Sequence, residues 1–176
     1  NRKWLRRKPN KNSFDIKHLK KIKIEDALIK ILSSPNHSNK NWITNQYDQS
    51  VMCDTVLKSG SDASIIRIHN KDKAIAVSVD SSANYCNANP ITGGKQIVCE
   101  NWRNLITVGA NPLAITNCLN FGNPENQEIM GEFAECLEGI KEACSFLNYP
   151  VVSGNVSFYN GTNNKNIHPT PVIGGV

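Results

Sequence analysis

The sequence has no run approaching the roughly 20 apolar residues that a membrane-spanning helix requires. It also has no charged-then-apolar start of the signal-peptide kind. No CxxC pair occurs, and no histidine lies at zinc-ligand spacing from a cysteine pair, which excludes the common structural zinc sites. There is no GxxxxGK[ST] phosphate loop, no GxGxxG after a strand and no GxSxG elbow. The four histidines, His18, His37, His69 and His168, are scattered over the tail, a turn, a strand end and a loop, and none is read as a catalytic partner of a cysteine, a serine or a second histidine. No general acid–base set is visible, so no catalytic residue is assigned. The six cysteines are Cys53, Cys86, Cys99, Cys118, Cys136 and Cys144, four of them inside apolar runs. They read as reduced, buried thiols of a cytoplasmic protein rather than a disulfide framework.

What is present suits one soluble domain with a tail. The chain has 176 residues, 39% hydrophobic and 20% charged. The net charge of +5 divides unevenly. Residues 1–30 hold eleven Lys/Arg and three Asp/Glu, whereas residues 31–176 hold nine and twelve, so the body is mildly acidic. Basic residues confined to a tail do not make a nucleic-acid surface, and no nucleic-acid partner is expected. Asn, Ile and Lys supply 57 residues, which makes any single asparagine weak evidence. The first methionine is internal and the last residues are apolar, so a piece of a longer chain is expected.

Residues 1–32 are assigned to a basic linker and a short connecting helix. Residues 1–23 have few aliphatics and many like charges, the pattern of a solvated arm, with Trp4 and Leu5 able to dock on a neighbouring domain. Ile24, Ala27, Leu28, Ile31 and Leu32 follow at helical spacing. Residues 33–176 form the body. Ser64–His69 and Ala74–Val79 are β-rich runs around the turn-like Asn70–Lys73, a hairpin, and Asp80 closes the second. Pro90–Gly94 is expected as a loop and Lys95–Val108 as a helix stopped by Gly109. Pro112–Leu119 is a strand and Glu128–Leu147 the longest helix. Its buried stripe is Ile129, Phe133, Leu137, Ile140, Cys144 and Leu147, with glutamates on the wet face. Pro150–Val152 starts another strand and Val172–Ile173 a last one. The predicted class is α+β with an α/β-like alternation: a mixed sheet with helices on one face.

Three polar segments are expected to close strands: Asp80-Ser81-Ser82, Asn117 with Asn120–Asn123, and Gly154-Asn155-Val156-Ser157. Ligands of open α/β sheets bind at such rims. The donors are a carboxylate, amide oxygens and hydroxyls, which suit Mg²⁺ bridging a nucleotide's phosphates. Gly122 and Gly154 permit close backbone approach. Each segment alone also serves as an ordinary turn.

Longer strings are more specific. AITNCLNFGNPENQEIMGEF, EACSFLNYPVVSGNVSFYN and PTPVIGG resemble the large synthetase subunit of the phosphoribosylformylglycinamidine synthase family, within the aminoimidazole-ribonucleotide-synthetase-like superfamily. SSPNHSNKNWITNQYDQSV, KSGSDASIIRI, SVDSSANYC and GGKQIVCENWRNLITVGANPLA do so too, so the resemblance spans about residues 33–176. It implies an ATP-dependent, amidine-forming carbon–nitrogen ligase of purine biosynthesis. The substrate is formylglycinamide ribonucleotide, and the ammonia comes from a glutaminase subunit or domain. The resemblance places the chain as the first domain of the second half of that synthetase. Such a domain pairs with a second one through its sheet, and the first half carries the catalytic histidines and most magnesium carboxylates.

The resemblance implies few site residues here. Gly154 and position 117 match ATP contacts, Asn155 an Mg²⁺ ligand, and Ser157 a contact to the ribonucleotide. Position 117 is Asn117 where the family has aspartate, and Asn84 stands where it usually has arginine. Both departures remove charge. A non-catalytic or degenerate half of the enzyme is therefore the alternative. Related synthetases of the superfamily are a smaller one, since their glycine-rich N-terminal segments are not seen.

Overall fold

The computed structural model describes residues 4–6, 22–47, 49–58 and 60–176. They fall into two compact units, one drawn from Asn1–Asn10 and Asp54–Val176, the other from Lys11–Cys53. Of the arm read over residues 1–23, residues 1–3 and 7–21 lie outside the described residues.

The smaller unit holds α1 (Ile24–Leu32) and the single-turn α2 (Asn41–Thr44). Glu25 and Asp26 sit in the first turn of α1 and Lys30 in the last, the sense that the helix dipole favours. The apolar spacing produces the helix, yet no residue of α1 is buried and Ile24, Leu28, Ile31 and Leu32 stay exposed.

The larger unit is built on a six-stranded mixed sheet. Its strands are β1 (Thr55–Leu57), β2 (Ser64–Arg67), β3 (Ala74–Ser81), β4 (Ile115–Asn120), β5 (Val151–Ser157) and β8 (Thr170–Gly175). A separate hairpin comprises β6 (Gly161–Thr162) and β7 (Lys165–Asn166). The spatial order is β1-β2-β3-β8-β4-β5; β4 and β5 run parallel and every other pair is antiparallel. The expected β2–β3 hairpin is present, with Ile65 opposite Ala76 and the turn residue Asn70 at φ 58°. Ala76 and Ser78 of β3 point into the core, whereas Ile75 and Val79 point away and are exposed, the period-2 pattern of a half-covered sheet.

Helices α3 (Ala83–Ala88), α4 (Pro90–Thr107) and α5 (Gln127–Leu147) supply the covering layer. The segment expected as a loop, Pro90–Gly94, is the first turn of α4. The Asn89 side chain caps it by accepting from the Thr92 amide at 2.9 Å, and Pro90 occupies its first position. Gly94 serves close packing rather than a turn, since a Cβ there would stand 2.5 Å from the Cys136 carbonyl oxygen of α5. Short α3 is polar and gave no periodic signal in the sequence. At the far end of α4, Gly109 takes φ 82°, the left-handed position expected for it.

Helix α5 begins on Asn126, whose side chain accepts from the Glu128 amide, and ends on left-handed Asn148. Its Ile140 and Cys144 are buried as expected, and Ile129, Phe133, Leu137 and Leu147 pack partly buried against the core. The glutamates do not all face water: Glu132 and Glu135 are buried. One side of α5 is met by residues 5 and 6. The Leu5 amide donates to the Gln127 carbonyl at 3.2 Å, and Arg6 pairs with Glu138 at 3.3 Å. The core proper joins Ile97, Val98 and Leu105 of α4 to Ile115, Leu119 and Ile173 of the sheet. Each such side chain contributes about 1.5–3 kcal/mol when fully buried. Phe121, Phe133 and Phe158 close one end edge-to-face, with successive centroids 5.1 Å apart.

Candidate nucleotide and substrate site

The sequence-predicted residues meet on the parallel β4–β5 ladder. Asn117 is opposite Gly154, Cys118 opposite Asn155, and Asn120 opposite Ser157. Residues 154–157 were expected as a loop closing a strand; they are strand. β5 continues through them because the Val-Val start is followed by a run that the β4 ladder pairs to its last residue. The ladder is an edge, so Gly154 and Asn155 remain exposed.

Strand alternation then divides the set. A Cβ on Gly154 would overlap the Asn117 side-chain oxygen, so Asn117 lies across the Gly154 face. On the opposite face the Thr116 and Ser153 hydroxyls hydrogen bond at 2.8 Å. Asn155 and Ser157 share that second face with Ser153, because side chains repeat every two residues. The structure therefore brings Asn117 and Gly154 together and places Asn155 and Ser157 across the sheet from them.

Asn117 and Asn155 have half-buried and exposed side chains with no hydrogen-bond partner among the described residues. Ser157 is tied down. Its hydroxyl stands 3.3 Å from Asn160 Oδ1, while Asn160 Nδ2 donates to the Ser157 carbonyl at 2.9 Å and to the Phe121 carbonyl at 3.0 Å. Asn160 has no role from the sequence alone; a Ser-x-x-Asn spacing at the end of a strand is the signal that points to it. Asn123 and Asn166 join the neighbouring loop to the β6–β7 hairpin, the Asn123 amide donating to Asn166 Oδ1 at 2.9 Å.

Asp80, offered by the sequence as a rim carboxylate, belongs to the core. Its Oδ2 accepts from Asn101 Nδ2 and from Ser78 Oγ at 2.8 Å, and its Oδ1 accepts from Asn104 Nδ2 at 2.8 Å. The pleat turns Asp80 to the same face as Ala76 and Ser78, towards α4. Ser81 points the other way and donates to the Pro171 carbonyl at 2.9 Å. Asn84 lies exposed in α3.

The donor set fits one part of a magnesium site. Asn155 offers an exposed, unengaged neutral oxygen, and a small hard cation accepts such a ligand alongside water and phosphate oxygens. The described residues hold no cluster of three His, Cys, Asp or Glu side chains that could hold the ion by itself. The buried thiols and the Tyr149 phenol belong to the core. Burial pushes the Tyr149 hydroxyl up to about 12 and the Cys144 thiol up to about 11. The hydrogen bond between the buried Cys86 and Cys136 thiols lowers the first and raises the second.

A family model described as AIR synthase related protein, N-terminal domain, matches residues 60–176. The chain belongs to the AIR synthase related protein family. Its AIR synthase related domain begins, by that match, just before β2 and runs through β8. The chain is 59% identical over 176 residues to the phosphoribosylformylglycinamidine synthase subunit PurL of Pelagibacter ubique, covering 99% of this chain and 24% of that protein. The chain thus spans about a quarter of the length of this curated relative. Among solved structures, Thermotoga maritima PurL complexed with ATP matches with a TM-score of 0.68 and 37% identity, over 78% of this chain and 23% of that one. The same protein complexed with FGAR matches with a TM-score of 0.68 and 38% identity, over 78% and 22%. These matches carry the α+β architecture read from the sequence, a mixed sheet with helices. No helix among the described residues is long and apolar enough to cross a membrane.

Proposed function

We propose that this AIR synthase related domain is part of a phosphoribosylformylglycinamidine synthase. The proposed reaction converts formylglycinamide ribonucleotide (FGAR), ATP and ammonia to the amidine, ADP and phosphate. The observation that carries the proposal is the 59% identity to a synthase subunit maintained across 99% of the chain. The relatives solved with ATP and with FGAR point to the same two ligands. No catalytic acid, base or nucleophile is assigned in this chain, so the first half of the synthetase, and a glutaminase that delivers ammonia, are proposed partners. The exposed sheet face bearing Ile75 and Val79 is proposed to meet a second domain of this type. A cytoplasmic location goes with this pathway chemistry.

Within that enzyme the chain's task is positioning. Phosphoryl transfer depends mainly on alignment and charge neutralisation. Gly154, having no side chain, leaves room on β5 for Asn117 to lie across it, and Asn117 would offer the nucleotide an acceptor or donor from β4. Asn155 would contribute one oxygen ligand to Mg²⁺, and Ser157 would hold the ribonucleotide from the same sheet face. When bound, Mg²⁺ supplies charge neutralisation at the phosphates.

The test is an assay of the complete synthetase containing this chain, with ammonia as nitrogen donor. ADP release that requires FGAR supports the proposal; no FGAR-dependent ADP release overturns it. A second possibility, a non-catalytic half that keeps the fold, is favoured by one observation. Asn117 carries no charge where the resembling synthetases have a carboxylate.

A further inference from the structure

We propose that Asn160 is a positioning residue for Ser157, fixing its hydroxyl as a hydrogen-bond acceptor for an N–H or O–H group of the substrate. The inference rests on the proposed substrate contact of Ser157.

The argument starts from the two carbonyls that face the Asn160 amide. Asn160 Nδ2 lies 3.0 Å from the Phe121 oxygen and 2.9 Å from the Ser157 oxygen. Carbonyl oxygens only accept, so the group facing both must be the amide nitrogen. That orientation is fixed, and both amide hydrogens are engaged. Nδ2 also lies 3.1 Å from Ser157 Oγ, a contact it makes only by sharing one of those two hydrogens. Asn160 Oδ1, 3.3 Å from Ser157 Oγ, is the acceptor left for the serine's single proton. With its one proton directed at Asn160 Oδ1, the Ser157 hydroxyl has only lone pairs left to offer and meets a ligand as an acceptor.

The backbone holds this arrangement from both sides. The Phe121 amide donates to the Ser157 carbonyl at 3.0 Å, and the Asn160 amide donates to the Phe121 carbonyl at 3.2 Å. The Ile167 amide in turn donates to the Asn160 carbonyl at 3.1 Å. Phe121 is buried at the end of β4, so Asn160 fastens the ends of both parallel strands to the core. A hydroxyl on a free rotor presents donor and acceptor by turns; this one is set before the ligand arrives. The formylglycinamide ribonucleotide has amide N–H and hydroxyl donors that match an acceptor.

The experiment compares Ser157→Ala, Asn160→Ala and the double variant in the complete synthetase, with a melting curve for each. Either single change raises KM for the ribonucleotide about tenfold, the loss of one well-made hydrogen bond. KM for ATP stays within about twofold, and the double variant is no worse than Ser157→Ala. If Ser157→Ala matters and Asn160→Ala does not, or if the two effects multiply, the positioning role is overturned while the Ser157 contact stands. If Ser157→Ala changes nothing, the underlying substrate contact has failed. Should Asn160→Ala not fold, Asn160→Ser, too short to reach the Ser157 hydroxyl, takes its place under the same criteria.

Discussion

The Tyr149 hydroxyl donates a 2.8 Å hydrogen bond to Asn101 Oδ1 in the dry interior between α4 and the sheet. Asn101 Nδ2 meanwhile reaches the Ser78 carbonyl at 3.1 Å, the Ile173 carbonyl at 3.4 Å and Asp80 Oδ2 at 2.8 Å. One amide thereby joins β3, β8 and Tyr149, two residues before β5. Replacing it with Asn101→Leu keeps the volume and strips the partners from several buried polar groups. The expected cost is about 2–4 kcal/mol, against about 1 kcal/mol for Tyr149→Phe, read from urea unfolding. Equal losses for the two variants would contradict the hub role of Asn101.

Alkaline pH should loosen this core in two stages. Cys144 is raised from its ordinary 9.0 to about 11 and Tyr149 from its ordinary 10.0 to about 12, burial being the chief cause of each. A raised acid keeps its proton longer in the folded state, so stability is full below the ordinary value and falls as pH climbs through the folded one. The decline begins near 9 with the thiol and continues to about 12 with the phenol. Tyr149→Phe should flatten only the upper part of a stability–pH curve. An unchanged curve for that variant would contradict the assignment.

Gly154→Ala places a methyl group against the Asn117 side chain. Local overpacking of this kind costs about 1–3 kcal/mol. The more specific expectation is weaker nucleotide binding by the complete synthetase, about tenfold or more in Kd, measured calorimetrically. Wild-type affinity in Gly154→Ala would remove Gly154 from the nucleotide site.

Asn117→Asp introduces a negative charge next to Gly154. If the nucleotide–magnesium complex binds here, its affinity should rise several-fold, since charge-assisted contacts are about twice as strong as neutral ones. Titration of the complete synthetase with Mg-ATP checks this. No change would mean that the amide serves as well as the carboxylate, or that the half does not bind nucleotide at all; a gain would show a site weakened by Asn117.

Gly131 of α5 faces the Leu5 carbonyl, which a Cβ at this position would overlap. Gly131→Ala should therefore displace residues 4–6 while leaving the helix itself slightly favoured by propensity. Trypsin should then cut after Arg6 several-fold faster than in the wild-type chain, with the melting temperature of the body little altered. Equal cleavage rates would count against the docking.

The sequence by itself determined the elements whose signals are local. The β2–β3 hairpin follows from two β-rich runs around Asn70, α5 from its long periodic stripe, and the C-terminal end of α4 from Gly109. The family strings across residues 33–176 also needed only the order of residues. What tertiary structure decided was the use of ambiguous polar residues. Gly94 reads locally as a loop former, and only the approach of α5 reveals a packing position in a helix. Asp80 reads as a rim ligand until α4 brings Asn101 and Asn104 to it. Gly154-Asn155-Val156-Ser157 reads as turn chemistry until β4 pairs with it. The pairing then sorts Asn117 and Gly154 from Asn155 and Ser157, because a strand's two faces are fixed by register with a partner far away in sequence.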